Sequence, residues 1–380
     1  MTWLFSIIMI GYALVIILLS KEALTYPETK SVTDCDPLPF SIIINYRNEE
    51  NNLPRLLESI VNQEYDYSLL QWIFINDSST DQSTHILNSF KNDHPKLTVI
   101  LLDREPKSAS AKKDGITQAV NHITNELIIT TDTDCILPSR WISSYNTKYK
   151  QHKNAHFIAA PVQMQQENNL LTSLQRQEMM ALQLITIGGF AYHKPFMCNG
   201  ANMSFTKNAF NEVNGYHGND HISSGDDIFL LEKLASKDVT KCHYLKSQNA
   251  TVITQPKNNL IDIIAQRARW AQKGSETNSR LNKLVSFQVL TMSLLFISSP
   301  ILWHFSLITD KMFLSLVLVK VFTDFTVLSI GDQIFKNVKW KFVIVNFITY
   351  PFIVILIALK SLSKPQWQGR KINSLESLQE

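Results

Sequence analysis

The sequence predicts an α/β fold with a mainly parallel sheet and flanking helices, joined to transmembrane helices. Three observations predict it. Between about residues 39 and 283, short β-branched apolar runs alternate with amphipathic helical patterns, as in a parallel sheet with helical crossovers. Apolar segments close to the ~20 residues that a spanning helix needs lie at both ends of the chain. Several strand-like runs end in polar or acidic residues, which places a crevice at the carboxyl edge of the sheet.

Composition narrows the function. The 380 residues suffice for one large domain and an appendage. A net charge of +3 is too small to imply nucleic acid as a partner. The four cysteines, Cys35, Cys135, Cys198 and Cys242, lack metal-like spacing, so neither a zinc site nor a disulfide framework is expected. Reduced thiols fit a cytosolic domain.

The elements follow in order. Residues 3–19 are almost wholly apolar, with no basic start or small-residue cleavage site, and read as an uncleaved anchor (1–22). Residues 23–38, polar with Pro27 and Pro37, read as a linker. Strands are expected at 40–45, 73–77, 97–102, 127–130 and 157–162. Helices are expected through Leu53–Ile60, after Ser78-Ser79-Thr80-Asp81, and from Asp226 onward. The catalytic region runs over 39–283. Apolar segments at 284–307, 312–330 and 342–359 make a membrane region (284–361) before a polar tail (362–380). Lys320 and Asp324 interrupt the second of these. Basic clusters at Lys336, Lys339 and Lys341 and at Lys360, Lys364, Arg370 and Lys371 both belong in the cytoplasm by the positive-inside rule. Three full spans cannot satisfy both, so either one segment is re-entrant or interfacial or the tail breaks the rule.

The most informative stretch is Thr131-Asp132-Thr133-Asp134, which closes the fourth strand. Carboxylates are costly to bury, so they belong at the open strand edge. Alternate strand residues point the same way, so Asp132 and Asp134 can converge on one point. Two hard oxygen ligands suit Mg²⁺ or Mn²⁺ carried by a diphosphate. A solvated turn is the plain alternative for these two residues taken alone.

The ordered set Asn45-Tyr46-Arg47-Asn48-Glu49-Glu50, Ile75-Asn76-Asp77-Ser78-Ser79-Thr80-Asp81 and Asp132-Thr133-Asp134 resembles the nucleotide-sugar half of the family 2 inverting glycosyltransferases, of GT-A type. The resemblance implies that Tyr46, Asn48, Glu49 and Asp77 help to bind the nucleoside of a UDP- or GDP-sugar. Helix N-capping is the plain reading of Asp77 and Asp81. In the segment from Lys107 to Gly115 the resemblance implies a phosphate role for Lys112 or Lys113, although the usual glycine and asparagine are missing. It also places the donor sugar against Asn199 and Gly200, and the metal on Asp134 with Asp132. Gly200 lets the backbone come close. Ser224-Gly225-Asp226-Asp227 resembles the family's acidic pair, whose second member, here Asp227, takes the acceptor proton; Asp226 orients the acceptor or caps the helix. Gln266-Arg267-Ala268-Arg269-Trp270 resembles the QxxRW signature of membrane-embedded members, which implies that these residues meet the diphosphate or the acceptor. A surface face of an interfacial helix is the plain alternative for Arg267, Arg269 and Trp270. The tail's Trp367-Gln368-Gly369-Arg370 resembles a Trp-x-Gly-Arg ending of some relatives.

The reading is therefore an integral membrane, metal-dependent inverting glycosyltransferase with a cytosolic catalytic domain, in the bacterial inner membrane, acting on a lipid or lipid-linked acceptor. A processive polysaccharide synthase and a non-catalytic membrane scaffold are the alternatives.

Overall fold

Ile42, Ile43 and Ile44 have no exposed surface, nor do Trp72, Ile73, Phe74 and Ile75. Runs buried on both faces are what a parallel sheet covered by helices requires. The computed structural model, which describes residues 2–30, 36–222, 224–336, 338–363, 366–367 and 370–371, places them in β1 (Phe40–Tyr46) and β2 (Leu70–Asn76). With β3 (Thr98–Asp103) and β4 (Leu127–Asp132) they form a parallel array in the order β3-β2-β1-β4. The chain divides into two units. One comprises Pro27–Gln163, Met197–Gln255 and Gln366–Glu380; the other comprises Met1–Tyr26, Met164–Phe196 and Pro256–Pro365.

In the first unit, α2 (Leu53–Val61), α3 (Ser83–Asp93) and α4 (Ala111–His122) connect the parallel strands. The register sets Asn45 beside Asp132, Tyr46 beside Asn76 and Asn76 beside Asp103, so four strands end level at one edge. The sheet continues beyond β4 as β8 (Met203–Thr206), β6 (Phe157–Ala159) and β9 (Cys242–Tyr244). β8 runs antiparallel to both of its neighbours, and β6 and β9 are parallel.

Two expectations change here. The fourth strand stops at Asp132, and Asp134 lies in the turn before β5 (Cys135–Ile136). Strand alternation therefore does not aim the two carboxylates. The expected strand over 157–162 breaks after β6, because Pro161 has no N–H to give a ladder. The chain resumes as β7 (Val162–Met164), which joins β5 and β10 (Val252–Thr254) in a separate small sheet of order β5-β10-β7.

Asn202 closes the core. Its side chain is fully buried; it accepts from Trp141 Nε1 (2.8 Å) and Tyr145 Oη (2.9 Å), and donates to Pro161 O (2.7 Å) and Ala250 O (2.8 Å). All four amide positions are used.

The second unit gathers α1 (Thr2–Thr25), α6 (Leu170–Ala191), α9 (Leu260–Ser275), α10 (Arg280–His304), α11 (Asp310–Phe335) and α12 (Val343–Ser361). Four of them, α1 and α10 to α12, are long and apolar enough to cross a membrane. Hydropathy drew one boundary at residue 283, whereas the structure groups α6 and α9 with the apolar helices. Both present an apolar face that packs against those helices, which hydropathy averaged along the chain does not register. Lys320 pairs with Asp324 one turn on, Tyr12 donates to Asp324 (2.9 Å), and the Lys320 ammonium lies over the rings of Phe296 (5.3 Å) and Phe347 (4.6 Å). These charges face the bundle interior, where polar groups in membrane helices find partners. Cys35, Lys364, Gln368, Gly369 and most of the expected tail lie outside the described residues; Gln366–Trp367 pairs with Arg370–Lys371 as two short strands.

Candidate active site

Lys112 organises the carboxyl edge of β4. Ser110 caps α4 by accepting from Lys113 N, which sets Lys112 in the first turn. Its ammonium lies 2.7 Å from Asp132 Oδ1 and 3.2 Å from Asp226 Oδ2. Burial pushes the lysine's pKa down, but Asp132, Asp226 and Asp227 together hold it above the ordinary range. The lysine is cationic at all physiological pH values and joins β4 to the start of α8 (Asp226–Asp238).

Gly225 enters that helix in the left-handed conformation (φ 86°), which favours glycine. The two aspartates that follow point differently, as helical neighbours must. Asp226 turns to Lys112. Asp227 accepts from the amides of Ile228 (2.7 Å) and Gly200 (3.2 Å). Gly200 lies directly behind them: a Cβ there would come within 2.6 Å of Asp226 Oδ2 and 3.0 Å of Lys112 Nζ. Glycine is needed at this position to make room for the protein's own acid–lysine pair. Asn199 shapes the same loop by accepting from Ala201 N (3.0 Å).

Tyr216 was not singled out from sequence. It is buried, its hydroxyl has no hydrogen-bond partner among the described residues, and burial and then the charges of Asp226 and Asp227 push its pKa well up. No motif marks a lone tyrosine ten residues before an acidic pair.

Asp132 is half-exposed and Asp134 partly so, with Cys135 Sγ 3.6 Å from Asp134 Oδ1. Burial raises the Glu49 pKa, an Asn52 hydrogen bond opposes the shift, and Asp134 and Asp132 raise it further. Glu49 thus shares the acidic corner with the pair. Among the described residues, no three His, Cys, Asp or Glu side chains are grouped to hold a metal ion. Two partly exposed aspartates, two residues apart in sequence, suit a divalent ion whose remaining ligands come from substrate oxygens.

The other expected donor residues divide. Asp77 is buried between Arg104 (Nε–Oδ1 2.8 Å) and Arg47 (Nη1–Oδ2 3.4 Å), and Arg104 also holds Asp114 (3.0 Å). It caps no helix; Asp81, one residue before the Gln82 N-cap of α3, accepts from Ser83 N (3.0 Å). Asn48 takes a positive φ (52°) and accepts from Thr80 N (2.8 Å), clamping the first loop to the second. Two readings need correction. Tyr46 belongs to the hydrophobic core, with its hydroxyl 3.3 Å from Thr84 Oγ1. Lys113 donates to the carbonyls of Asn219 and Ile222 (2.7 Å each) and lies over Phe229, so it fastens a loop and does not join Lys112. The Arg104 pairing was missed: an arginine after a strand-end aspartate is visible in sequence, but its partners 27 and 10 positions away are not.

In the second unit, α9 presents Gln266-Arg267-Ala268-Arg269-Trp270. Arg267 is buried, its Nε 2.8 Å from Glu178 Oε2, with Gln266 bonded to it and its guanidinium 4.3 Å from the Trp270 ring centre. Its Nε and one Nη are thus held within the unit, while Nη2 has no hydrogen-bond partner among the described residues. Gln266, Arg269 and Trp270 keep partial exposure, and burial lowers the Arg269 pKa.

A parallel sheet with its polar strand ends level, Asp132 closing β4, Asp134 in the turn after it and an acidic pair opening α8 make up a GT-A-like α/β fold. Residues 41–213 match the family described as Glycosyl transferase family 2. A mannosyltransferase from Pyrobaculum calidifontis, solved with GDP-Man and Mn²⁺, shares the fold at 15% identity and a TM-score of 0.59, covering 96% of this chain and 99% of that one. A beta-monoglucosyldiacylglycerol synthase of Nostoc sp. is 24% identical over 62% of this chain and 49% of its own. A poly-beta-1,6-N-acetyl-D-glucosamine synthase of Staphylococcus epidermidis is 24% identical over 82% of this chain and 73% of its own. The chain spans about half the length of the first curated relatives it matches.

Proposed function

We propose that this glycosyltransferase moves a sugar, with inversion, from a UDP- or GDP-sugar to a lipid or lipid-linked acceptor at the cytosolic face of a bacterial inner membrane. The convergence of Asp132, Lys112 and Asp226 at the end of β4 carries the reading. Asp134 and Asp132 would hold Mg²⁺ or Mn²⁺, which offsets charge on the donor's diphosphate when bound. Lys112 stands beside Asp132 as a second positive charge for the same diphosphate.

Asp227 takes the proton from the acceptor hydroxyl as that oxygen forms its bond to the anomeric carbon and the nucleoside diphosphate leaves. Two backbone amides fix its carboxylate, while Asp226 is committed to Lys112. Family resemblance assigns Arg269 and Trp270 to the leaving group and acceptor. The name of the glucosyldiacylglycerol synthase supports a lipid acceptor, and so do the four apolar helices.

The likeness to a poly-N-acetylglucosamine synthase over most of the chain favours a second reading, repeated addition to a growing glycan. Product length with labelled donor separates the two. Asp227→Asn should lower kcat by ~10²–10⁴-fold with donor binding nearly unchanged. Asp226→Asn should cost less. The reverse order would move the base to Asp226, and wild-type rates in both would remove this mechanism.

A further inference from the structure

We infer that α12, although long and apolar enough to cross a membrane, enters and leaves on one side and lies in the lipid beside α9.

α10 and α11 form an antiparallel hairpin. Near the turn, Trp303 stacks on Phe313 (5.2 Å) and donates to Asp310 (2.8 Å). The start of α10 at Arg280 and the end of α11 at Phe335 therefore share the opposite face. α12 begins at that face. Lys336 reverses the chain in a left-handed conformation. Val338 N then donates to Asp332 Oδ1 (2.9 Å), Trp340 Nε1 to Asp332 Oδ2 (3.2 Å), and the Trp340 ring lies 5.5 Å from Phe325. α12 also ends there. Gln272 Nε2 donates to the carbonyls of Ser361 (2.8 Å) and Ser363 (2.7 Å). The end of α9 is itself tied to the first turn of α10, since Asn282 Nδ2 donates to Gly274 O (3.0 Å).

In between, α12 dips to the level where Phe347 meets Lys320. Pro351, which cannot make the normal helical bond, lies at its middle. Tyr350 bonds Glu178, the partner of Arg267. Ile344, Ile348, Phe352, Leu356 and Leu359 are exposed at helical spacing, and acyl chains are the occupant that fits this stripe.

Charge agrees independently. Lys336, Lys339 and Lys341 precede α12, Lys360 closes it, and Arg280 and Lys283 open α10. With α12 returning to its own side, all of them meet the positive-inside rule together with the basic tail. A crossing helix would export Lys360, Lys364, Arg370 and Lys371.

The test uses full-length protein with Cys35→Ser and single cysteines at Lys341, Ser363 or Leu307, in sealed vesicles of each orientation. A membrane-impermeant maleimide should label K341C and S363C from one face and L307C from the other. An epitope after Glu380, in a chain with no cysteine introduced, should be digested from the face that labels K341C. Labelling of S363C from the L307C face, or from neither, overturns the inference, as does protection of the epitope at the K341C face.

Discussion

Gly200→Ala tests the site through a single methyl group. The added Cβ would stand 2.6 Å from Asp226 Oδ2 and 3.0 Å from Lys112 Nζ, where ordinary contact begins near 3.4 Å. The carboxylate must therefore retreat by about 0.8 Å and the ammonium by about 0.4 Å. Both are ends of flexible side chains, so the fold should survive; overpacking costs typically ~1–3 kcal/mol, and the low end applies. Function should not survive as well. A displacement near 1 Å in positioned groups can cost ~10²-fold, so kcat/KM for sugar transfer should fall by about that factor. Steady-state transfer and thermal melting are the assays. In an Asp226→Ala background the carboxylate is gone, and Gly200→Ala should then have little further effect. A single variant within threefold of wild type, or an undiminished loss in the Asp226→Ala background, would refute the reasoning.

Transfer should stop with EDTA and return with Mn²⁺ or Mg²⁺; Asp134→Ala that stays fully active in EDTA would remove the metal assignment. Glu49 has a pKa raised by burial, so its neutral form is favoured in the fold, and its stabilising contribution is lost as pH rises through the raised value. Glu49→Gln should therefore gain melting temperature over wild type progressively above pH 4.5, and a pH-independent difference would contradict this. Removing one partner of the buried Glu178–Arg267 pair should destabilise by about 3–5 kcal/mol, whereas Glu178→Gln with Arg267→Met should cost less than the two singles summed. Melting curves of the three variants decide it, and additive losses would show that the pair is not coupled.

The parallel half of the sheet was legible because its strands announce themselves twice. Ile42 to Ile44 and Ile73 to Ile75 are apolar without alternation, and each run ends in polar residues where the register sets strand ends level. β8 was harder. Met203–Thr206 is four residues long, and its antiparallel place between β4 and β6 depends on pairings of 70 or more positions with β4. Pro161 was visible, yet its consequence, the transfer of β7 to another sheet, depends on β10 some 90 residues on. α6 and α9 carry enough polar residues to pass as soluble helices, and only their packing on apolar neighbours assigns them to the other unit.

Within the site, sequence located residues better than it located their partners. Asp132, Asp226 and Lys112 came from three separate motifs, and nothing in their spacing states that one ammonium bridges two carboxylates from β4 and α8. Lys113 shows the limit. It adjoins Lys112 on α4, and a helix turns about 100° per residue, so only one of the two can face the strand ends. Which one does so is set by Ser110, whose cap fixes the start of the helix and so its rotation. The other lysine is left buried, where an unpartnered ammonium would be costly, and the carbonyls of Asn219 and Ile222 satisfy it. The loop that supplies those carbonyls leads directly into α8. Neighbouring lysines thus act on both ends of one short segment: Lys113 fastens the approach to the acidic pair, and Lys112 holds its first member.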